Sequence, residues 1–369
     1  MNEQARERGK IRAFLDRKGI TLSPKVYFVD AMSAMALGLF ASLLIGTIFS
    51  TVASWIPAGN VIHDFFSLIA TIGSVAASGN AIGAVLGISI AYSLKASPLL
   101  MFSAGAVGMF SHQYGLTLMI DGVPKLVTAG PAGVFFVAIL AVEIGKLVSK
   151  ATKVDILVTP AVTLAVGALF TMLLCPAIAY IVYWLGYFVN YATSILPFFM
   201  GIVISVVVGI ILTLPISSAA ICAMIGITGL AGGAAVAGCC AQMVGFAVIS
   251  FRENRFGGLV AQGLGTSMLQ MGNILKNPRI WIPPTLAAAI TGPIATCLFG
   301  LECTGVSAGM GTCGLVGPIG VFSAMGFTVS SVVGVLTVCI VLPAILSLAF
   351  DLLLRRIGWI KAGDMALNL

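Results

Sequence analysis

Residues 156–176 read ILVTPAVTLAVGALFTMLLCP and contain no charged side chain. A helix that crosses the hydrocarbon core of a bilayer needs about 20 predominantly apolar residues. This stretch therefore predicts a transmembrane helix that begins near Ile156 and continues past Pro176.

The whole chain of 369 residues has the same character, because 59% of its residues are hydrophobic and only 8% are charged. A typical soluble domain carries about 25% charged residues. This composition excludes a soluble enzyme, a disordered protein and a disulfide-stapled secreted domain. About ten spans of about 20 residues each would accommodate the apolar residues. The sequence predicts an all-α polytopic membrane protein with about ten transmembrane helices and additional re-entrant segments.

Basic residues in short loops predict the orientation of these helices. Seven of the 19 Lys and Arg residues lie in the first 25 positions, and residues 1–29 are expected to form a cytoplasmic amphipathic helix. The other basic clusters lie at 146–153, 252–255, 276–279 and 355–361. Ten crossings place all of these clusters and both termini in the cytoplasm. No soluble domain is available to present the basic residues to a nucleic acid, so nucleic-acid binding is not expected.

Residues 259–275 are too polar to face lipid. Irregular or polar backbone at membrane depth is tolerated where it is buried in protein or lines a cavity, so we interpret this stretch as re-entrant or cavity-lining. Its amides and hydroxyls suit a hydroxyl-rich ligand, because each can donate and accept hydrogen bonds. The alternative is polar packing between helices. The candidate solute-binding residues are Gln262, Ser267, Gln270 and Asn273, with Asn254 flanking them. Ser78, Asn80 and Gln242 form a weaker polar set inside predicted spans.

Glu302 is the strongest candidate for a solute-binding residue, since it is the only charged residue in the glycine-rich stretch 300–331. A carboxylate within a membrane segment is costly unless it is hydrated or paired. We expect Glu302 to be the central polar contact to the solute and to share a cavity with residues 259–275. The alternative is a carboxylate that lies in water at the outer interface.

No self-contained catalytic site is predicted. The eight cysteines lack CxxC spacing and are expected to be buried packing residues, with a disulfide between Cys303 and Cys313 on the outer side as the alternative. His63 and His112 are expected on solvated outer loops. Because no strands are expected, no phosphate-binding loop follows one. We predict no catalytic residue, no metal ligand and no cofactor.

Four stretches of the chain resemble the membrane-embedded IIC component of the bacterial phosphotransferase system. They are GPAGVF at 130–135, KVDILVTPA at 153–161, ENRFGGLVAQGLGTSMLQMGNI at 253–274 and GLECTG at 300–305. The resemblance covers residues 25–355. More narrowly, the chain is similar to the stand-alone IIC-like branch of perfringolysin O regulator-like proteins.

The resemblance implies a homodimer in the bacterial cytoplasmic membrane. It implies a dimerisation half over residues 30–195, a half with the solute site over 196–355 and a cytoplasmic tail over 356–369. Separate IIA and IIB proteins are possible partners, besides the lipid bilayer and the solute.

The resemblance also bears on the site. Sugar-transporting IIC proteins carry a Gly-Ile-Thr-Glu-Pro motif whose glutamate binds the sugar, and Gly300-Leu301-Glu302 resembles part of it. Those proteins place a histidine near the hydroxyl that is phosphorylated, whereas no histidine follows His112 in this chain. The expected function is a permease for a carbohydrate or similar polar solute, with phosphoryl transfer itself in doubt. The alternatives are a non-transporting membrane sensor or regulator and an ion-coupled carrier.

Overall fold

The structure is a computed structural model. It describes residues 14–39, 41–42, 53, 56, 59, 61–76, 78–120, 123–152, 154–214 and 217–367. The chain is about 80% helical, which confirms the predicted all-α polytopic fold class. It divides into two compact units, Met1–Leu43 with Ser74–Tyr183 and Leu44–Gly73 with Trp184–Leu369.

The helices are numbered here in chain order. The first six are α1 (Met32–Leu39, preceded by a π-helical turn over Lys25–Ala31), α2 (Val61–Ala76), α3 (Gly79–Ser93), α4 (Pro98–Gln113), α5 (Gly130–Val148) and α6 (Asp155–Ile195). The next six are α7 (Pro197–Thr213), α8 (Ser218–Ile225), α9 (Gly229–Ile249), α10 (Phe251–Val260), α11 (Met271–Lys276) and α12 (Ile282–Pro293). The last four are α13 (Gly305–Ala308), α14 (Val316–Met325), α15 (Val329–Val335) and α16 (Leu342–Arg356).

Short 3₁₀ and π-helical turns connect several of these helices. They lie at Ala261–Gly265, Ser267–Gln270, Pro278–Trp281, Ile294–Leu298, Cys313–Leu315 and Leu336–Val341. Such turns mark places where the regular α-helical ladder is interrupted.

Five helical runs in the described part of the chain are long and apolar enough to cross a membrane. They are Gly130–Val148, Asp155–Ile195, Gly229–Ile249, Pro278–Leu298 and Val329–Arg356. The run Asp155–Ile195 contains the stretch 156–176, for which a transmembrane helix was predicted. The total number of crossings and the orientation of the termini stay predictions.

Two strands form an antiparallel hairpin in the first unit, and the expectation that the chain has no strands is wrong. They are β1 (Gly115–Ile120) and β2 (Val123–Thr128), with Gly115 opposite Thr128. The sequence between them is Asp121-Gly122, a dipeptide that favours two-residue hairpin loops. The hairpin was missed because each strand is only six residues long within an otherwise helical pattern.

The two histidines also differ from expectation, because neither lies on a loop. His63 lies in α2 and His112 in the last turn of α4. All eight cysteines are free, and six of them are buried. The alternative of a disulfide between Cys303 and Cys313 is therefore wrong, since Cys303 is a buried free thiol.

Helix α9 forms the centre of the second unit and is buried along almost its whole length. Its small residues allow neighbouring backbones to approach closely, as is common in membrane proteins. A Cβ atom at Gly233 would collide with the carbonyl oxygen of Leu301, and one at Gly238 with that of Ser205 in α7. These glycines place α7 and the segment around Leu301 directly against α9.

Candidate functional site

Glu302 lies beside the first turn of α9. The backbone N–H of the next residue, Cys303, donates to the carbonyl oxygen of Gly229 over 3.1 Å, and Gly305 N donates to Ile227 O over 2.9 Å. The Glu302 side chain is exposed, and its own backbone N–H donates to the Met325 sulfur over 3.2 Å. Among the described residues, the Glu302 carboxylate has no hydrogen-bond or ion-pair partner. This carboxylate is free to accept hydrogen bonds from a solute or from water.

The candidate amides form a chain at the other end of α9. Gln262 Nε2 donates over 2.8 Å to the hydroxyl of Ser250, the residue that follows α9. Gln262 Oε1 accepts from Gln270 Nε2 over 2.9 Å, and Gln270 Oε1 accepts from Asn273 Nδ2 over 2.9 Å. Gln262 and Gln270 are fully buried. Their hydrogen-bonding groups are therefore engaged within the protein.

Backbone atoms of the C-terminal tail accept or donate most of the remaining hydrogen bonds of these amides. Asn254 Nδ2 donates to Met365 O and Asn254 Oδ1 accepts from Leu367 N, each over 2.8 Å. Gln270 Nε2 also donates to Met365 O over 3.0 Å, and Asn273 Nδ2 donates to Ala366 O over 2.9 Å. Four of the proposed solute contacts thus contribute to a network that holds the chain's own tail.

The structure does not bring Glu302 and these amides into one cavity. Leu301, next to Glu302, contacts α9 at Gly233, whereas Gln262 binds Ser250. A separation of 17 residues along a helix corresponds to about 25 Å, which is more than two helix diameters. Gln262 and the neighbour of Glu302 therefore contact α9 towards its opposite ends.

Ser267 differs from the other candidates because its partner is a side chain of α7. Its hydroxyl lies 2.9 Å from the hydroxyl of Thr213, the last residue of α7. Thr213 Oγ1 also donates to Gln242 Oε1 over 3.4 Å, and Gln242 Nε2 donates to Thr285 Oγ1 over 3.0 Å. Thr213, Gln242 and Ser267 are fully buried. They form an uncharged polar network beside the second half of α9.

Beside this polar network, the segment that follows Glu302 contacts the segment that contains Gly263. The hydroxyl of Thr312 donates to the carbonyl oxygen of Gly263 over 2.5 Å and contacts the Met243 sulfur at 3.6 Å. The segment that contains Thr312 starts at the Gly229 end of α9, and the segment that contains Gly263 starts at the Ser250 end. Two interrupted segments therefore meet at the level of Gln242 and Met243.

We call this region the junction and define it by Thr213, Gln242, Gly263, Ser267 and Thr312. Its side chains are neutral hydrogen-bond donors and acceptors without an acid, a base or a nucleophilic histidine. Such groups can bind and orient the hydroxyls of a solute.

Ser267 and, in a weaker set, Gln242 were predicted from the sequence. Thr213 and Thr312 were not predicted, because they are single hydroxyls in apolar surroundings. The available signal was their position beside helix breakers, because Pro215 follows Thr213 and Gly311 precedes Thr312.

The sequence profile of one protein family, described as "Phosphotransferase system, EIIC", matches residues 29–367. Neither a curated protein nor a solved structure gives a significant match to the chain. The matched range includes the junction, Glu302 and the network that holds the C-terminal tail.

Proposed function

The chain belongs to the EIIC family of the phosphotransferase system, and we propose that it carries a hydroxyl-rich solute, a carbohydrate or a close chemical relative, past the junction. Membership of the family makes it a membrane permease component of that system. The solute class, the path and the narrower branch of the family belong to the proposal.

The observation that carries this proposal is the meeting of two interrupted segments at Thr312 and Gly263, beside the Thr213–Ser267 hydroxyl pair. Discontinuous helices near the middle of a membrane protein are typical of solute sites in transporters. A polyol offers alternating donors and acceptors, and the neutral hydroxyls and amide of the junction match them without attracting ions. Separation of Thr312 from Gly263 would open the junction.

In this proposal Glu302 is not the central contact to the solute that was expected from the sequence. It is the first contact of the solute on the predicted outer side, because its carboxylate is exposed and free to accept two hydroxyl hydrogen bonds. The amides of Gln262, Gln270, Asn273 and Asn254 stabilise the re-entrant segment and its tail contact. Ser267 alone of that group contacts the solute.

Phosphoryl transfer is assigned to separate proteins. No histidine occurs in residues 113–369, and the junction contains neither a histidine nor a cysteine. In this proposal the solute is phosphorylated by a soluble IIB component supplied with phosphate by a IIA component. The homodimer remains part of the proposal, and a mass measurement in lipid tests it.

Uptake into proteoliposomes tests the transport function. The purified chain is reconstituted and offered a panel of radiolabelled hexoses, pentoses and polyols, with and without phosphorylated soluble proteins. Saturable uptake of one of them that falls about tenfold in Ser267→Ala supports the proposal, since loss of about 1.4 kcal/mol is a tenfold change. Binding of a solute without uptake under either condition would favour the sensor or regulator instead.

A further inference from the structure

A cleft in the first unit has a strongly basic lining. Its volume is about 490 Å³, and five of its ten lining residues are basic while none is acidic. The basic residues are Arg17, Lys18, Lys95, Lys146 and Lys150. They come from three separate segments: the N-terminal segment, the connection after α3, and the last turn of α5 with the connection that follows it. We call this cavity the basic cleft.

Two of these lysines build the cleft. Lys18 Nζ donates to Ser149 O over 2.9 Å, which satisfies a carbonyl at the C-terminal end of α5. Lys146 is buried, donates to Gly19 O over 3.0 Å and pairs with Glu143 at 3.2 Å. Both lysines therefore have structural partners and hold the N-terminal segment against α5.

Lys95 and Lys150 have no such structural use. Both follow the C-terminal end of a helix, both are exposed, and both have a φ of 57°, which is uncommon for a residue other than glycine. In the described part of the chain, neither ammonium group has a hydrogen-bond or ion-pair partner. The carboxylate of Asp155 accepts from the Lys150 backbone N–H and from the Thr159 hydroxyl, each over 2.7 Å.

The charges around the cleft do not balance. Within the part of the chain that the structure describes, the lining holds five basic side chains and no acidic one, and Glu143 pairs with Lys146. Helix C-termini favour cations, but Lys18 already occupies the end of α5, and no lysine ammonium among the described residues bonds a carbonyl of α3. The positive charges of Lys95 and Lys150, which line the cleft, are therefore available to a ligand in it.

We propose that the basic cleft binds a phosphate ester, either the headgroup of an anionic phospholipid or a soluble phosphate ester. Lysine ammonium groups such as those of Lys95 and Lys150 bind phosphate as point charges. The volume falls in the usual range of about 300–1,000 Å³ for small-ligand sites. The cleft lies at helix ends on the predicted cytoplasmic side, where basic pockets between membrane helices bind lipid headgroups. This site is independent of the junction.

Two probes test the proposal on the full chain in neutral detergent. Retention of phosphatidylglycerol, compared with phosphatidylcholine, is counted by native mass spectrometry. Glycerol 3-phosphate is titrated while the thermal midpoint is followed. A double variant, Lys95→Gln with Lys150→Gln, is expected to bind about 25-fold more weakly, because each lysine near an anionic headgroup contributes about fivefold.

Two control variants separate the site from the general charge of the protein. Lys125→Gln removes an exposed lysine of β2, at the other end of α5, and should leave binding unchanged. Lys95→Arg with Lys150→Arg keeps the charge and should retain the anion.

The result also identifies the source of the phosphate. Selective retention of phosphatidylglycerol without an effect of glycerol 3-phosphate identifies the lipid headgroup, and the reverse identifies a soluble ester. Equal behaviour of the wild type and the Gln double variant with both probes, at unchanged thermal stability without ligand, would overturn the proposal.

Discussion

The hydroxyl of Thr312 donates a hydrogen bond to the carbonyl oxygen of Gly263, and this contact joins two segments that reach α9 from its opposite ends. Both segments are interrupted helices, and both lack charged side chains where they meet. The contact therefore closes the region in which we place the solute.

Replacement of Thr312 by valine tests the energetic value of this contact. Thr312→Val leaves the Gly263 carbonyl without its partner, which we expect to cost about 1–3 kcal/mol of stability. Thr291→Val is the matched control, because Thr291 is also buried but donates to Ala288 O in its own helix, over 3.3 Å. Thermal unfolding of both variants gives the comparison. An equal loss of stability in both would show that the Thr312–Gly263 contact stabilises the protein no more than a hydrogen bond within one helix.

The C-terminal tail should depend on Asn254. Asn254→Ala removes both side-chain bonds to Met365 and Leu367, so the backbone N–H of Leu367 should exchange with deuterium about tenfold faster, since a loss of about 1.4 kcal/mol is tenfold.

Asn190→Ala is the control for that measurement. Like Asn254, Asn190 bonds two backbone atoms with its side chain. Its Nδ2 donates to Gly226 O over 3.1 Å, and its Oδ1 accepts from Thr228 N over 3.2 Å. Its loss should accelerate exchange at Thr228 and leave the tail protected. Unchanged exchange at Leu367 in Asn254→Ala would contradict the tail network.

Close packing against α9 gives a prediction about two glycines. Gly238→Ala would drive a methyl group into the backbone of Ser205, and overpacking of this kind costs about 1–3 kcal/mol or more. Gly272→Ala in α11 meets no atom within 4 Å and should be neutral or slightly stabilising. Chemical or thermal unfolding of the two variants distinguishes them, and similar stability would contradict the tight contact of α7 with α9.

Glu302→Gln separates a solute contact from a surface carboxylate. Because Glu302 is exposed and without a protein partner, the change should alter stability by less than about 0.5 kcal/mol. It removes the charge that strengthens a hydrogen bond from a solute hydroxyl, so solute affinity should fall about tenfold. Unchanged affinity would leave Glu302 as a carboxylate in water.

The sequence predicted the membrane fold and the polar character of residues 259–275, because hydropathy depends only on residue types along the chain. It could not predict the partners of Gln270 and Asn273. Those amides bind backbone atoms of Met365 and Ala366, more than 90 residues away, and backbone atoms leave no residue-type signal. The lone hydroxyls of Thr213 and Thr312 were missed for a similar reason, since only the meeting of distant helix breaks gives them partners.

Binding of a hydroxylated solute at the junction tests the central claim most directly. Isothermal titration of a panel of hexoses and hexitols into the wild-type chain should find a ligand whose affinity falls about tenfold in Ser267→Ala. The same ligand should bind Ser111→Ala normally, because Ser111 is equally buried but bonds only Gly108 O of its own helix among its side-chain contacts. Equal affinities of the wild type and the two variants would contradict a solute site at the junction.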